Sequence, residues 1–143
     1  MTTSNITSWP SFSDQEAEAA HAVIASNKVN YWTGQVGRKF EAEYAQWIGT
    51  SKAIALANGT LALDLALKSL GIGAGDEVIV PEPMYVTYVG FLGACGVTTV
   101  PVALDANDNF NINVDNIAAA ITSKTKAILI NSPHNPTGTI IEL

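Results

Sequence analysis

The chain has 143 residues, 48% apolar and only 14% charged, with a mean hydropathy of +0.20 and a formal net charge of −6. That composition excludes disorder, and the length serves one core, which would bury roughly two-thirds of the unfolded surface. The basic residues are Arg38 and six scattered lysines against thirteen acidic residues, which excludes a nucleic-acid or anionic-membrane surface built on clustered cations.

Cysteine usage is as restrictive. Cys95 stands alone, so no internal disulfide and no cysteine-based zinc site can form. Between Ala94 and Gly96 it reads as a small buried hydrophobe. Two histidines and no clustered carboxylates leave no metal site and no paired-carboxylate hydrolase chemistry. Met1–Trp9 has no basic residue and no apolar run, unlike a secretory signal. Pro83–Leu104 is the longest uncharged stretch, but two prolines, three glycines and the acidic flanks Glu82 and Asp105 make it a poor membrane span. A soluble cytoplasmic protein is expected, and the sequons at Asn5 and Asn58 are then chance matches.

In chain order, Ser13-Asp14-Gln15-Glu16 is a capping box opening a helix to about Ser26. A loop with Tyr31 and Trp32 leads to a helix over Val36–Ile48. There Phe40, Tyr44, Trp47 and Ile48 form one stripe, and Gly49 is the stop. Ala53–Ala57 is expected to be a short strand. Asn58-Gly59-Thr60 turns into a helix that reaches Leu70. It is apolar on nearly every face apart from an Asp64–Lys68 pair, so it is expected to be buried. Gly71–Asp76 reads as a helix stop and tight turn; it is not a dinucleotide fingerprint, because it precedes a strand. Next come strand Glu77–Val80, helix Tyr85–Ala94, strand Thr98–Val102, helix Val114–Ile121 and strand Lys126–Ile130. The Val114–Ile121 helix carries Val114, Ile117, Ala118 and Ile121 as its stripe. Apolar strands separated by helices imply an α/β fold, a mostly parallel sheet with helices on both faces. Ligands bind such sheets beyond the carboxyl ends of the strands.

Three post-strand loops are therefore the candidate chemistry. At Asn58-Gly59-Thr60, free amides at a helix start and the Thr60 hydroxyl suit a phosphate; the plainer reading is an ordinary turn with Asn58 as N-cap. Pro81 to Tyr88 fixes two aromatics, either to stack on a planar ligand or to fill a core. Asn131 to Gly138 holds Asn135 on a rigid backbone, where its amide can donate to a phenolate-like oxygen or merely form an Asx-turn. His134 is read as a turn histidine without catalytic role. Lys126 starts a strand on the opposite sheet edge.

Together these loops resemble the first half of a fold-type-I pyridoxal-phosphate aminotransferase, with Asn135-Pro136-Thr137-Gly138 the most specific element. The likeness is of two kinds. Residues 30–81, through NYWTGQVGRKFE and ALANGTLALDLALKSLGIGAGDEVIVP, resemble the DegT/StrS-type sugar aminotransferases. Residues 81–138, through EPMYVTYVGFLGACG and ILINSPHNPTG, resemble the class I, aspartate-aminotransferase-like group. GDEVIVP at 75–81 is common to both, so the sequence reads as a join of equivalent parts of one fold.

The resemblance implies an incomplete large domain: residues 1–34 as N-terminal helix and arm, and 35–143 as part of the cofactor-binding domain. It implies pyridoxal 5'-phosphate as cofactor, with Gly59 and Thr60 on its phosphate, Tyr85 stacked on its ring and Asn135 on its phenolic oxygen. Tyr31, Thr33 and Gly34 would lie near the substrate entrance, and the parent enzyme would be a homodimer. The substrate would be a small molecule, with an amino group passing between an amino acid and a 2-oxo acid or keto-sugar. The Schiff-base lysine of such enzymes follows the N-P-T-G element, whereas all six lysines here precede it. No catalytic residue is therefore assigned, and the chain alone is expected to be silent. Two other readings stay open, a non-catalytic phosphate-binding module of the same ancestry and an unrelated nucleotide-binding α/β domain. An unfinished parallel sheet would leave its edge and helix faces uncovered, so the isolated chain should also self-associate. Sedimentation velocity on the chain is expected to show concentration-dependent oligomers rather than a single monomeric boundary.

Overall fold

The computed structural model describes residues 9–141; the Asn5 sequon, most of the Met1–Trp9 segment and residues 142–143 lie outside the described residues. The chain divides into two compact units, Met1–Ala55 and Leu56–Leu143. None of the described helices is long and apolar enough to cross a membrane.

The first unit holds helices α1 (Asp14–Ala25) and α2 (Val36–Ile48). The capping box is present in full. Ser13 N donates to Glu16 Oε2 at 2.6 Å, and Glu16 N donates back to Ser13 Oγ at 3.3 Å. Gly49 ends α2 at φ 76°, a left-handed conformation that a Cβ would strain. The predicted stripe of α2 forms an aromatic ladder, Phe40 to Tyr44 and Tyr44 to Trp47, each 5.7 Å between ring centroids. It is a solvent-facing ladder, with Trp47 79% exposed and Ala45 the only buried residue of the helix. Tyr31 is held by its hydroxyl on Glu41 Oε2 (2.9 Å) and by the Arg38 guanidinium 5.1 Å above its ring.

Residues 53–57 are not a strand. An extended apolar segment becomes a strand only when a neighbour completes its ladder. No described strand pairs with it; Ala55 N instead donates to Glu41 Oε1 at 2.8 Å.

The second unit runs α3 (Gly59–Ser69), β1 (Glu77–Glu82), α4 (Thr87–Ala94), β2 (Thr98–Ala103), a 3-10 turn at Ala106–Asp108, α5 (Val114–Ala119) and β3 (Thr125–Ile128). The sheet is fully parallel in the order β2-β1-β3. Alternation on the central strand sorts the core into two layers. Val78 and Val80 pack with Leu67, Ile72, Phe91, Leu92 and Val97, from α3, α4 and their connections. Ile79 packs on the opposite side with Val102 and with Ile117 of α5. Helices thus cover both faces, as expected from apolar strands in a parallel sheet.

β1 is longer than predicted and β3 shorter. Pro81 has no N–H for a ladder, yet β1 continues through it beside β2, Pro81 facing Val102. This is possible because the β1–β3 pairing has ended at Ile79–Ile128, leaving one neighbour to satisfy. Tyr85 precedes α4 rather than opening it, with Val86 at the N-cap.

One burial expectation fails, and one apolar stripe stays largely exposed, for the same reason. α3 is not buried all round: Leu61, Leu63, Leu65 and Leu70 are exposed, and Leu67 alone reaches the core. Of the predicted Val114–Ile121 stripe only Ile117 is buried; Val114 stays exposed, as does Ile121, which lies beyond the end of α5. An apolar face is buried only when a second layer covers it, and none of the described elements does so. Leu92, at 0% exposure the inner face of α4, should be the costliest truncation. Leu92→Ala is expected to lose about 2–5 kcal/mol in urea denaturation, against a far smaller loss for Leu70→Ala on the exposed end of α3.

Candidate functional site

Three separate segments of the second unit converge on one cleft of about 720 Å³. Gly59 and Thr60 line it from the start of α3, Tyr85 from the β1–α4 connection with Thr87 at the start of α4, and Asn131 and Asn135 from the segment after β3. The four residues expected to hold a cofactor, Gly59, Thr60, Tyr85 and Asn135, thus line a single space. Tyr31, Thr33 and Gly34 belong to the other unit and line cavities within it.

The topology explains the convergence. The chain leaves β1 for β2 on one side and returns as β3 on the other. The connections after β1 and β3 therefore diverge at the carboxyl edge of the sheet, where a crevice must open.

Each wall is built locally. Asn58 Oδ1 accepts from Leu61 N at 3.0 Å, so the plain N-cap reading is correct. It does not compete with the anion reading, because the first intrahelical bond is Ala62 N to Asn58 O at 3.2 Å. The Gly59 and Thr60 amides precede that bond and keep their protons free for a ligand. A Cβ on Gly59 would meet nothing within 4 Å, so the glycine keeps open the approach to the amides rather than relieving a clash.

Tyr85 packs edge to face with Tyr88, centroids 5.6 Å apart at 86°, which fixes its ring plane. Tyr88 N closes the turn on Tyr85 O at 2.9 Å. In the third segment the Asx role belongs to Asn131, whose Oδ1 accepts from Asn135 N at 2.9 Å. That leaves the Asn135 side-chain amide free of hydrogen bonds to the described residues. Sequence reading missed Asn131 and Thr87 as cleft residues; the i, i+4 spacing of Asn131 and Asn135 is the signal that could have found Asn131.

Among the described residues, no charged side chain lines the cleft. Its attraction for an anion comes from the helix dipole and peptide N–H groups. The nearest ion pair lies one turn along α3, where Lys68 Nζ holds Asp64 Oδ2 at 2.8 Å. That bond, and a second from Cys95 Sγ at 3.4 Å, keep the Asp64 carboxyl below the usual carboxylate range. Cys95 is half-buried, and desolvation followed by the bond to Asp64 pushes its thiol up.

Residues 10–133 match the DegT/DnrJ/EryC1/StrS aminotransferase family. The chain belongs to that family. It is 38% identical over 104 residues to an arginine–pyruvate transaminase of Pseudomonas aeruginosa, covering 73% of this chain and 26% of that protein. It is 45% identical over 101 residues to a GDP-perosamine synthase of Caulobacter vibrioides, covering 68% of this chain and 27% of that protein. Among solved structures, an aminotransferase from Psychrobacter cryohalolentis superposes with a TM-score of 0.76 at 48% identity, covering 85% of this chain and 31% of that one. The chain therefore spans about a quarter to a third of these relatives' lengths. The family and the fold-type-I architecture are as the loops implied, and relatives of both the sugar and the amino-acid kind are found. Aminotransferases of this family and fold are generally pyridoxal-phosphate-dependent.

A raised thiol pKa means less thiolate at any given pH, and the thiolate is the nucleophile. Cys95 should therefore react with iodoacetamide at pH 8 more slowly than free cysteine. Denaturant should remove the difference, as followed by mass spectrometry.

Proposed function

We propose that the second unit binds pyridoxal 5'-phosphate in the β1–β3 cleft, as the phosphate- and ring-holding part of an aminotransferase. The observation that carries this is the meeting of Gly59, Thr60, Tyr85 and Asn135, from three loops distant in sequence, around one cleft. The residues fit the group: free helix-start amides for the phosphate, a ring held edge-on by its neighbour, and an uncharged amide donor not engaged elsewhere.

Each residue then has a definite task. The Gly59 and Thr60 amides and the Thr60 hydroxyl bind the phosphate. Tyr85 stacks on the pyridine ring and sets its plane. The Asn135 amide donates to the phenolic oxygen. When bound, the cofactor supplies an electron sink for carbanion chemistry. Moving the proton needs a lysine, and none of the described residues lining the cleft is one. The chain alone thus binds without turning over, while the parent enzyme, read as a cytoplasmic homodimer, passes an amino group between an amino acid and a 2-oxo acid or keto-sugar. Tyr31, Thr33 and Gly34 are assigned to its substrate entrance.

Gly59→Ala separates binding from stability. The added methyl meets open space and replaces the weakest helix former after proline, so the fold should be unchanged or slightly firmer. Affinity for pyridoxal phosphate, read by equilibrium dialysis, should fall at least ~tenfold, because the methyl crowds a phosphate that must reach the amides. Affinity for pyridoxal, which has no phosphate, should not change. Borohydride treatment of the loaded chain should leave no stoichiometric adduct on any one lysine. An adduct accompanied by turnover would overturn the reading.

A further inference from the structure

His134 is buried beside the cleft, at 8% exposure, and has no task in the reading above. Its hydrogen bonds have a direction that can be read. Thr139 Oγ1 lies 2.9 Å from the carbonyl oxygen of Asn109, which can only accept. The single Thr139 hydroxyl proton is therefore committed there. Thr137 Oγ1, at 3.0 Å, must donate its own proton to Thr139 Oγ1. Thr137 Oγ1 then accepts its two other contacts, from Thr139 N at 3.3 Å and from a proton on His134 Nδ1 at 2.8 Å. That order of donors calls for a proton on Nδ1, an assignment drawn from the bonding network.

The relay closes the loop that carries Asn135. His134 N donates to Thr139 O at 2.7 Å, and Gly138 N donates to His134 O at 2.7 Å. His134 therefore grips the base of the loop through its backbone and its ring together. The last link reaches a carbonyl thirty residues earlier, after β2, and so ties the loop to a segment outside itself.

Resting on the cofactor reading of the cleft, we propose that His134 is a positioning residue for Asn135. Its Nδ1 proton starts a relay through Thr137 and Thr139 to the Asn109 carbonyl, and this holds the Asn135 amide where it meets the phenolic oxygen of the ring.

The first test needs no variant. In the full chain labelled with 15N-histidine, long-range proton–nitrogen correlation at about pH 8 should show His134 Nδ1 protonated, with solvent-exposed His21 as reference. A His134 ring carrying its proton on Nε2 alone would overturn the relay. The second test uses His134→Leu, with His134→Asn as the rescue, because an Asn side-chain nitrogen can stand in for Nδ1. Thr137→Val and Thr137→Ser form the matching pair. His134→Leu and Thr137→Val should speed hydrogen exchange at the Asn135 and Gly138 amides and weaken pyridoxal phosphate binding about tenfold. His134→Asn and Thr137→Ser should stay within about twofold of the parent, less than one hydrogen bond's worth.

The discriminating ligand is 3-deoxypyridoxal phosphate, which lacks the phenolic oxygen. Its affinity should be indifferent to His134→Leu. Equal losses for both ligands would show that His134 only holds the loop together, and unchanged exchange in His134→Leu would show no anchoring; either overturns the proposal. A parent chain that binds neither ligand would overturn the cofactor reading itself, a result distinct from both.

Discussion

Parallel pairing of β1 on both its edges is the constraint from which the rest of the second unit follows. A strand with parallel neighbours on either side has no solvent-facing edge, so Val78, Ile79 and Val80 are apolar without alternation. Parallel neighbours also require crossover connections. The crossover to β2 carries α4 over the face of Val78 and Val80, and the crossover from β2 to β3 carries α5 over the face of Ile79. Because β2 and β3 flank β1 on opposite edges, the connections that follow β1 and β3 part company at the carboxyl edge. The cleft stands at that parting, and Pro81 sits where β1 has already lost its β3 neighbour.

The electrostatic character of the cleft follows from what lines it. A chain of formal charge −6 repels anions at long range, and among the described residues no lysine or arginine lines the cleft to offset this locally. The compensating field comes from the amino end of α3, whose dipole acts within about one helical turn. Such a field acts on a group that comes close and has little reach. Close approach in turn requires a bare backbone, which is why open space over Gly59 matters more than any side chain that could stand there.

Local signals were legible in the sequence, and long-range ones were not. Ser13 with Glu16, Gly49 after Ile48, and Asn58 before Gly59 each specify a helix end through bonds spanning three or four residues, and each stands where the pattern puts it. The cleft residues were legible because parallel sheets bind ligands at a known edge and each loop carries its own turn chemistry. What escaped depends on partners far along the chain. Residues 53–57 have a strand's composition but no ladder partner, and the leucines of α3 have a core's composition but no covering layer. Neither partner is visible in a window of a dozen residues. His134 escaped differently: it does sit in a turn, but the direction proposed for its bond depends on Asn109, which the sequence gives no reason to place beside Thr139.

The same distinction separates holding a ligand from reacting with it. Holding needs donors and surfaces at fixed spacing, and here these come from a helix start, a proline-bounded turn and a loop pinned at its base. Each is rigid for reasons internal to the second unit: the Asn58 cap, the Tyr85–Tyr88 ring pair, and the Asn131 and His134 bonds. Reaction needs a group that changes its protonation state against the bound ligand, and the residues lining the cleft offer hydroxyls, amides and rings but no amine and no carboxylate. Under the proposed reading the cradle depends on backbone geometry around β1, whereas the proton carrier depends on a single side chain that is not among the described residues lining the cleft.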